Sequence, residues 1–208
     1  FADAYAARHD VPVGLITTGV GATSVYDWRP GGSLYPRLQT ALNYVGPYGC
    51  KAILWHQGET DAVQNTTQAQ YVQRLETLIA QSRVDIGFDV PWGVAIAAYG
   101  PNTAPARIEV INAAQMDVVA NDPLVFQGAC TDDLLEGYRI DGGVHFLLPG
   151  LIEHGQRWEK AVSAFFFRLP GDYNADGIVD LADYTVWADH YGQTGPDIPG
   201  DGNGDGVV

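Results

Sequence analysis

Residues Lys51-Ala52-Ile53-Leu54-Trp55-His56-Gln57-Gly58-Glu59-Thr60-Asp61 decide how this chain folds. The apolar run ending at Leu54 reads as a strand. Beyond Asp61 a helix is predicted, because Tyr71, Leu75, Leu78 and Ile79 recur at i, i+4, i+7 and i+8 and give it one buried face. The polar block from Trp55 to Asp61 therefore falls where a parallel strand ends and its crossover begins, and ligand sites of open α/β sheets gather at such strand ends. A bare Asp-Gly would make a plain turn, whereas Trp and His are poor turn residues, so the block reads as a site.

On the N-terminal side, Phe1 to Arg8 looks like the end of a helix and Val11-Pro-Val-Gly-Leu-Ile16 like a buried strand. The loop Thr17-Thr-Gly-Val-Gly-Ala-Thr-Ser-Val-Tyr-Asp-Trp28 is rich in Gly and Ser/Thr. Its amides either point into a cleft or form a strand-to-helix turn that needs Gly for close packing. Leu34 to Leu42 carries apolar residues at helical spacing. On the C-terminal side come a strand at Pro91–Ala97, a helix marked by Ile108, Ile111, Gln115 and Val118, and a strand at Leu124–Phe126. A last helix follows, with Leu151, Trp158, Val162 and Phe165 inward. Strands alternate with helices, so the expected architecture is α/β, a parallel sheet with helices on both faces. Cys50 would lie before one strand and Cys130 after another, at opposite edges of the sheet, and they are not expected to pair.

The 208 residues suffice for one good core and a small appendage. Of the net charge of −14, residues 171–208 supply −8, through Asp172, Asp176, Asp180, Asp183, Asp189, Asp197, Asp201 and Asp205 with no Lys or Arg. This balance argues against nucleic acid and anionic membranes and suits cation binding. No run approaches the ~18 apolar residues of a membrane span, and no secretory leader pattern opens the chain, whose start at Phe1 suggests a fragment or mature form.

The heptapeptide Trp55–Asp61 resembles the W-H/Y-Q-G-E-S/T-D/N block of the sialate O-acetylesterase and acetylxylan esterase branch of the SGNH (GDSL-like) hydrolases. Gly21-Ala-Thr-Ser-Val-Tyr-Asp-Trp28 resembles that branch's G-G-T-S-x-x-x-W block, with Ala22 in place of the second Gly. Asp141-Gly-Gly-Val-His145 resembles the D-x-x-H block that carries the triad acid and base, here one residue longer. The resemblance implies a three-layer α/β/α flavodoxin-like fold with its first strand missing. It implies a Ser-His-Asp mechanism in which His145 is the base and Asp141 orients it; with the motif one residue longer, Asp132, Asp133 or a backbone carbonyl are alternatives for that orienting role. Gln57 and the Gly21 amide would donate to the oxyanion. Trp55 and His56 would line the sugar or acyl pocket, although burial against the sheet fits them equally well. Glu59 and Asp61 would support these groups, since a carboxylate beside a developing oxyanion raises the barrier unless it bonds elsewhere. No cofactor is implied for catalysis. The family's serine sits in a G-Q-S-N/D-like loop, which residues 1–208 do not contain, so the nucleophile is expected upstream and the fragment alone is expected to be inactive.

After Leu169-Pro170 the pattern changes. Asp172-x-Asn174-x-Asp176-Gly177-Ile178-x-Asp180 followed by Asp183 matches a calcium loop, with oxygen ligands at alternate positions around a Gly at the sharp turn. Asp201-x-Asn203-x-Asp205-Gly206 begins the same loop 29 residues on. Both resemble type I dockerin modules, the second repeat incomplete. The expected domains are thus 1–169, an esterase, and 170–208, an α, EF-hand-like dockerin tail. The resemblance implies structural Ca²⁺, a cohesin-type scaffold partner, and a secreted or cell-surface location. The leading expectation is a carbohydrate esterase acting on O-acetylated sugars; the alternative is a catalytically silent, carbohydrate-binding or scaffold-attached protein that keeps the fold. A zinc hydrolase is disfavoured, because His145 and His154 have no H-x-x-x-H partner.

Overall fold

In the computed structural model, the described residues are 1–140, 143–167, 171–174, 178–195, 198–202, 207 and 208. Three strands form a parallel sheet in the order β1 (Ile53–Trp55), β2 (Trp92–Ile96), β3 (Val125–Cys130). Ile53 pairs with Trp92 and Trp92 with Val125, and an irregularity between Val94 and Ile96 precedes the pairing of Ile96 with Cys130. The helices are α1 (Ala2–His9), α2 (Val25–Trp28), α3 (Tyr35–Val45), α4 (Glu59–Gln64), α5 (Gln68–Ile86), α6 (Pro105–Asn121), α7 (Leu148–Phe166) and α8 (Leu181–His190). The chain divides into two compact units, Phe1–Ala161 and Val162–Val208, and the division falls within α7.

The predicted α5 stripe is buried: Tyr71, Leu75 and Leu78 are fully enclosed, and Ile79 nearly so. Thr67 caps the helix in a capping box with Gln70, and Gly87, at φ 86°, closes it in a left-handed turn that favours glycine. On α6, Ile111, Gln115 and Val118 face inward as their spacing predicts. In α7, Trp158 is buried, because Gly93 and Gly128 leave the space its ring fills; a Cβ on Gly128 would stand 2.3 Å from the indole. Leu151, also expected inward, is exposed, since this small-residue seat lies under Trp158 and not under the first turns of the helix.

One expected element is absent. Residues 11–16 form no strand, and Val11, Leu15 and Ile16 are 40%, 56% and 50% exposed. An apolar run becomes a strand only by pairing, Pro12 offers no N–H, and among the described residues no strand lies beside it. Cys50 and Cys130 are both free thiols, as their positions at the two outer strands require. No helix of the described residues is long and apolar enough to cross a membrane.

Candidate active site

The block that follows β1 is built around a buried carboxylate. Asp61, fully enclosed in the first turn of α4, accepts hydrogen bonds from the Val25 amide (2.8 Å), Gln57 Nε2 (2.7 Å) and Thr66 Oγ1 (2.7 Å). No Lys or Arg pairs with it among the described residues, and these three donors satisfy its oxygens. The Val25 bond joins the start of α2 to the block, which brings the Gly21 loop beside Gln57. Gln57 Nε2 donates to the Thr23 carbonyl as well (3.0 Å), so both of its N–H groups are occupied within the protein. Its backbone carbonyl accepts from the Tyr71 hydroxyl (2.8 Å) and Gln115 Nε2 (2.9 Å). Gln115 also bonds the amide and carbonyl of Ala97 at the end of β2, so one side chain of α6 locks the ends of two strands together.

Gly58 is the residue that permits this closeness. A Cβ there would lie 1.9 Å from the Ala97 carbonyl oxygen and 2.7 Å from Gln115 Nε2. Gly58→Ala should therefore destabilise the protein by about 2 kcal/mol, by overpacking against backbone that cannot yield. The check is urea denaturation, and an unchanged midpoint would mean that the β1–α4 turn is looser than these contacts require.

The Gly21 loop is held by Thr23, whose hydroxyl donates to the Val20 carbonyl and accepts from Trp28 Nε1. Gly21 itself is exposed, with nothing near the place a Cβ would take. Ala22 has φ 58°, a left-handed conformation that glycine adopts more easily. Ser24, the N-cap of α2, is 2% exposed and its hydroxyl donates to Asp27, so this serine is occupied in a capping box.

His56 lies beside His154 of α7, with His56 Nδ1 3.2 Å from His154 Nε2. Trp158 Nε1 donates to that same His154 nitrogen at 2.9 Å, and Phe146 stacks on the His154 ring. Burial pushes His56 and His154 down to about 4, so both rings are neutral near pH 7. Glu59 Oε1 stands 3.9 Å from His56 Nε2, and burial raises its carboxyl above the usual range. Trp55 is 8% exposed, packed edge-on to Trp28 and against Trp92 in the core, with its N–H on the Tyr71 hydroxyl. Of the two readings of Trp55, burial is the one realised.

His145 is exposed and carries no side-chain hydrogen bond among the described residues. Its loop is nonetheless held. Arg139, 5% exposed, donates to the carbonyls of Leu134, Val144 and Thr131, the Ile140 amide donates to the His145 carbonyl, and Arg139 and Phe146 form an antiparallel bridge. Asp141 lies outside the described residues. Asp132 is taken up by the amides of Ala98 and Tyr99 and by Asn112, and Asp133 by a bidentate pair with Arg157, so neither bonds His145. Four contributors had gone unassigned in the sequence: Gln115, Arg139, His154 and Trp158. The one signal was a polar Gln115 on an otherwise apolar helix stripe.

Among the described residues, no three His, Cys, Asp or Glu side chains are grouped to hold a metal ion. Of the expected calcium ligands, Asp176, Asn203 and Asp205 lie outside those residues. Asp183 is 2% exposed and accepts from the amides of Asp180 (2.8 Å) and Asn174 (3.1 Å), while Asp180 caps α8 through the Ala182 amide. The closing carboxylate of the loop thus accepts from the backbone of its third and ninth positions.

A small parallel sheet with interleaved helices and a polar cluster at the carboxyl ends of its strands form an α/β architecture consistent with a hydrolase fold. Residues 1–164 match the family of carbohydrate esterases described as sialic acid-specific acetylesterases, and the chain belongs to that family. It is 30% identical over 76 residues to a probable carbohydrate esterase of Arabidopsis thaliana, a stretch covering 36% of this chain and 29% of the plant protein. The crystal structure of a carbohydrate acetylesterase from Xanthomonas citri shares the fold with a TM-score of 0.62 at 18% identity, over 81% of this chain and 40% of that one. The chain spans less than half the length of either relative.

Proposed function

We propose that this protein is a secreted carbohydrate esterase that removes O-acetyl groups from sugars or polysaccharides by a Ser-His-Asp mechanism, in a three-layer SGNH-type fold, with the serine outside residues 1–208. The observation that carries this reading is the joining of the Gly21 loop to Gln57 at the carboxyl end of β1, through Thr23 and Asp61, in a chain of a carbohydrate esterase family. In this mechanism His145 takes the serine proton and returns it to the leaving sugar hydroxyl, with Asp141 as its orienting partner. Gln57 and the Gly21 amide donate to the tetrahedral oxyanion. To do so, Gln57 must turn one N–H away from the Thr23 carbonyl when substrate enters. That occupied amide is also what favours the alternative, a catalytically silent carbohydrate-binding protein. Assay of the intact protein on p-nitrophenyl acetate and on an O-acetylated sugar separates them. Hydrolysis of both is expected, residues 1–208 alone should turn over neither, and an intact protein inert on both would establish the silent form.

The tail is proposed to be a dockerin-like module bound to a cohesin-type scaffold. Its ligand set is Asp172, Asn174, Asp176, the Ile178 carbonyl, Asp180 and Asp183, with Asp201, Asn203 and Asp205 opening a second loop. Bound calcium would supply the positive charge that these acids lack, and binding only the folded form would stabilise it. Calorimetric titration of the whole chain should give heat at or below ~10⁻³ M Ca²⁺, the weakest range of extracellular modules. No heat there would remove the calcium-binding reading.

A further inference from the structure

We propose that Trp158, acting through His154, fixes His56 as the Nδ1–H tautomer, so that His56 Nε2 accepts a hydrogen bond from a hydroxyl of the sugar. The argument starts from the indole, which can only donate. Trp158 Nε1 is 2.9 Å from His154 Nε2, so that nitrogen must present its lone pair; a hydrogen on it would face the indole hydrogen across the same gap. The single proton of the neutral His154 ring therefore sits on Nδ1. His56 Nδ1 is 3.2 Å from the same His154 nitrogen, where two lone pairs would repel, so His56 Nδ1 carries its proton and shares that single lone pair with the indole as the longer of two donors. His56 Nε2 is left with a lone pair. Trp158 is seated on Gly93 and Gly128, which gives the relay a rigid end.

The charged groups near this pair are Glu59 from α4, 3.9 Å from His56 Nε2, and, from further off, Asp132 acting on His56, the N-terminal ammonium on His154 and Arg139 on both rings. The His56 side chain is 26% exposed, so a ligand can reach it. At 3.9 Å Glu59 Oε1 is beyond hydrogen-bond reach of His56 Nε2, so that lone pair is open to a donating hydroxyl, while the two acceptors together repel a carboxylate. This corner of the site therefore reads a neutral hydroxyl of the sugar, and the acidic or acylated part of the substrate must lie elsewhere. Trp158 and His154 are positioning residues here, and His56 is the contact.

This inference rests on the esterase reading, and the test keeps the two apart. Long-range ¹H–¹⁵N spectra of the histidine-labelled chain at neutral pH should show His56 Nε2 unprotonated and Nδ1 protonated; a protonated Nε2 overturns the proposal. In Trp158→Phe the constraint is lost, and His56 should shift toward the Nε2–H form that free imidazole side chains prefer. If that variant fails to fold, His154→Phe removes the same acceptor and should give the same shift. A folded variant with an unchanged tautomer also overturns the proposal. Titration with methyl β-D-xylopyranoside and with a methyl glycoside of N-acetylneuraminic acid should move the Nε2 resonance with at least one of them. No movement at about 50 mM, well above millimolar dissociation constants, rejects the hydroxyl contact. Hydrolysis of p-nitrophenyl acetate by the intact protein, measured alongside, reports on the esterase reading independently.

Discussion

Replacing His145 with alanine in the intact protein is expected to lower kcat by several orders of magnitude, since removing a triad base can cost ~10⁶ in rate. The structure makes this a clean experiment. The imidazole is exposed and bonds nothing among the described residues, while its loop is held by the Arg139 guanidinium and by backbone bonds that alanine keeps. Thermal unfolding of the variant should therefore match the wild type within the ~0.5 kcal/mol typical of surface changes. Loss of rate with retained stability assigns His145 to the chemistry. Near-wild-type turnover ends that assignment.

Asp61→Ala is expected to have the largest effect on stability, a loss of about 3 kcal/mol, because the Val25 amide, one Gln57 N–H and the Thr66 hydroxyl would each be left without an acceptor in a closed site. The damage should also reach the Gly21 loop, since the Val25 bond is one of the two that tie it to the block. Urea denaturation measures the loss. A shift in midpoint worth less than ~1 kcal/mol would show that water replaces the carboxylate easily, and that the buried network contributes less than its geometry indicates.

Much of this was legible because it is periodic or local. The α5 stripe at Tyr71, Leu75, Leu78 and Ile79 needs only the helical repeat, and β2 and β3 appear as short apolar runs bounded by turns. The seven-residue block from Trp55 to Asp61 is contiguous, so its family resemblance could be read without a structure. Residues 11–16 differ for the opposite reason: their apolar content suggests a strand, but whether such a run has a partner is a property of the sheet.

What the sequence determined by itself, then, is the alternation of strands and helices, the place of the polar block at the end of β1, and the esterase family. Tertiary structure alone decided which side chains meet. Asp61 reaches Val25 across 36 positions, Gln115 reaches Gln57 across 58, and His154 reaches His56 across 98. No periodicity encodes such separations, because they follow from how parallel strands bring distant segments to one edge. Burial there also lowers the basicity of His56, another property that only the packing sets.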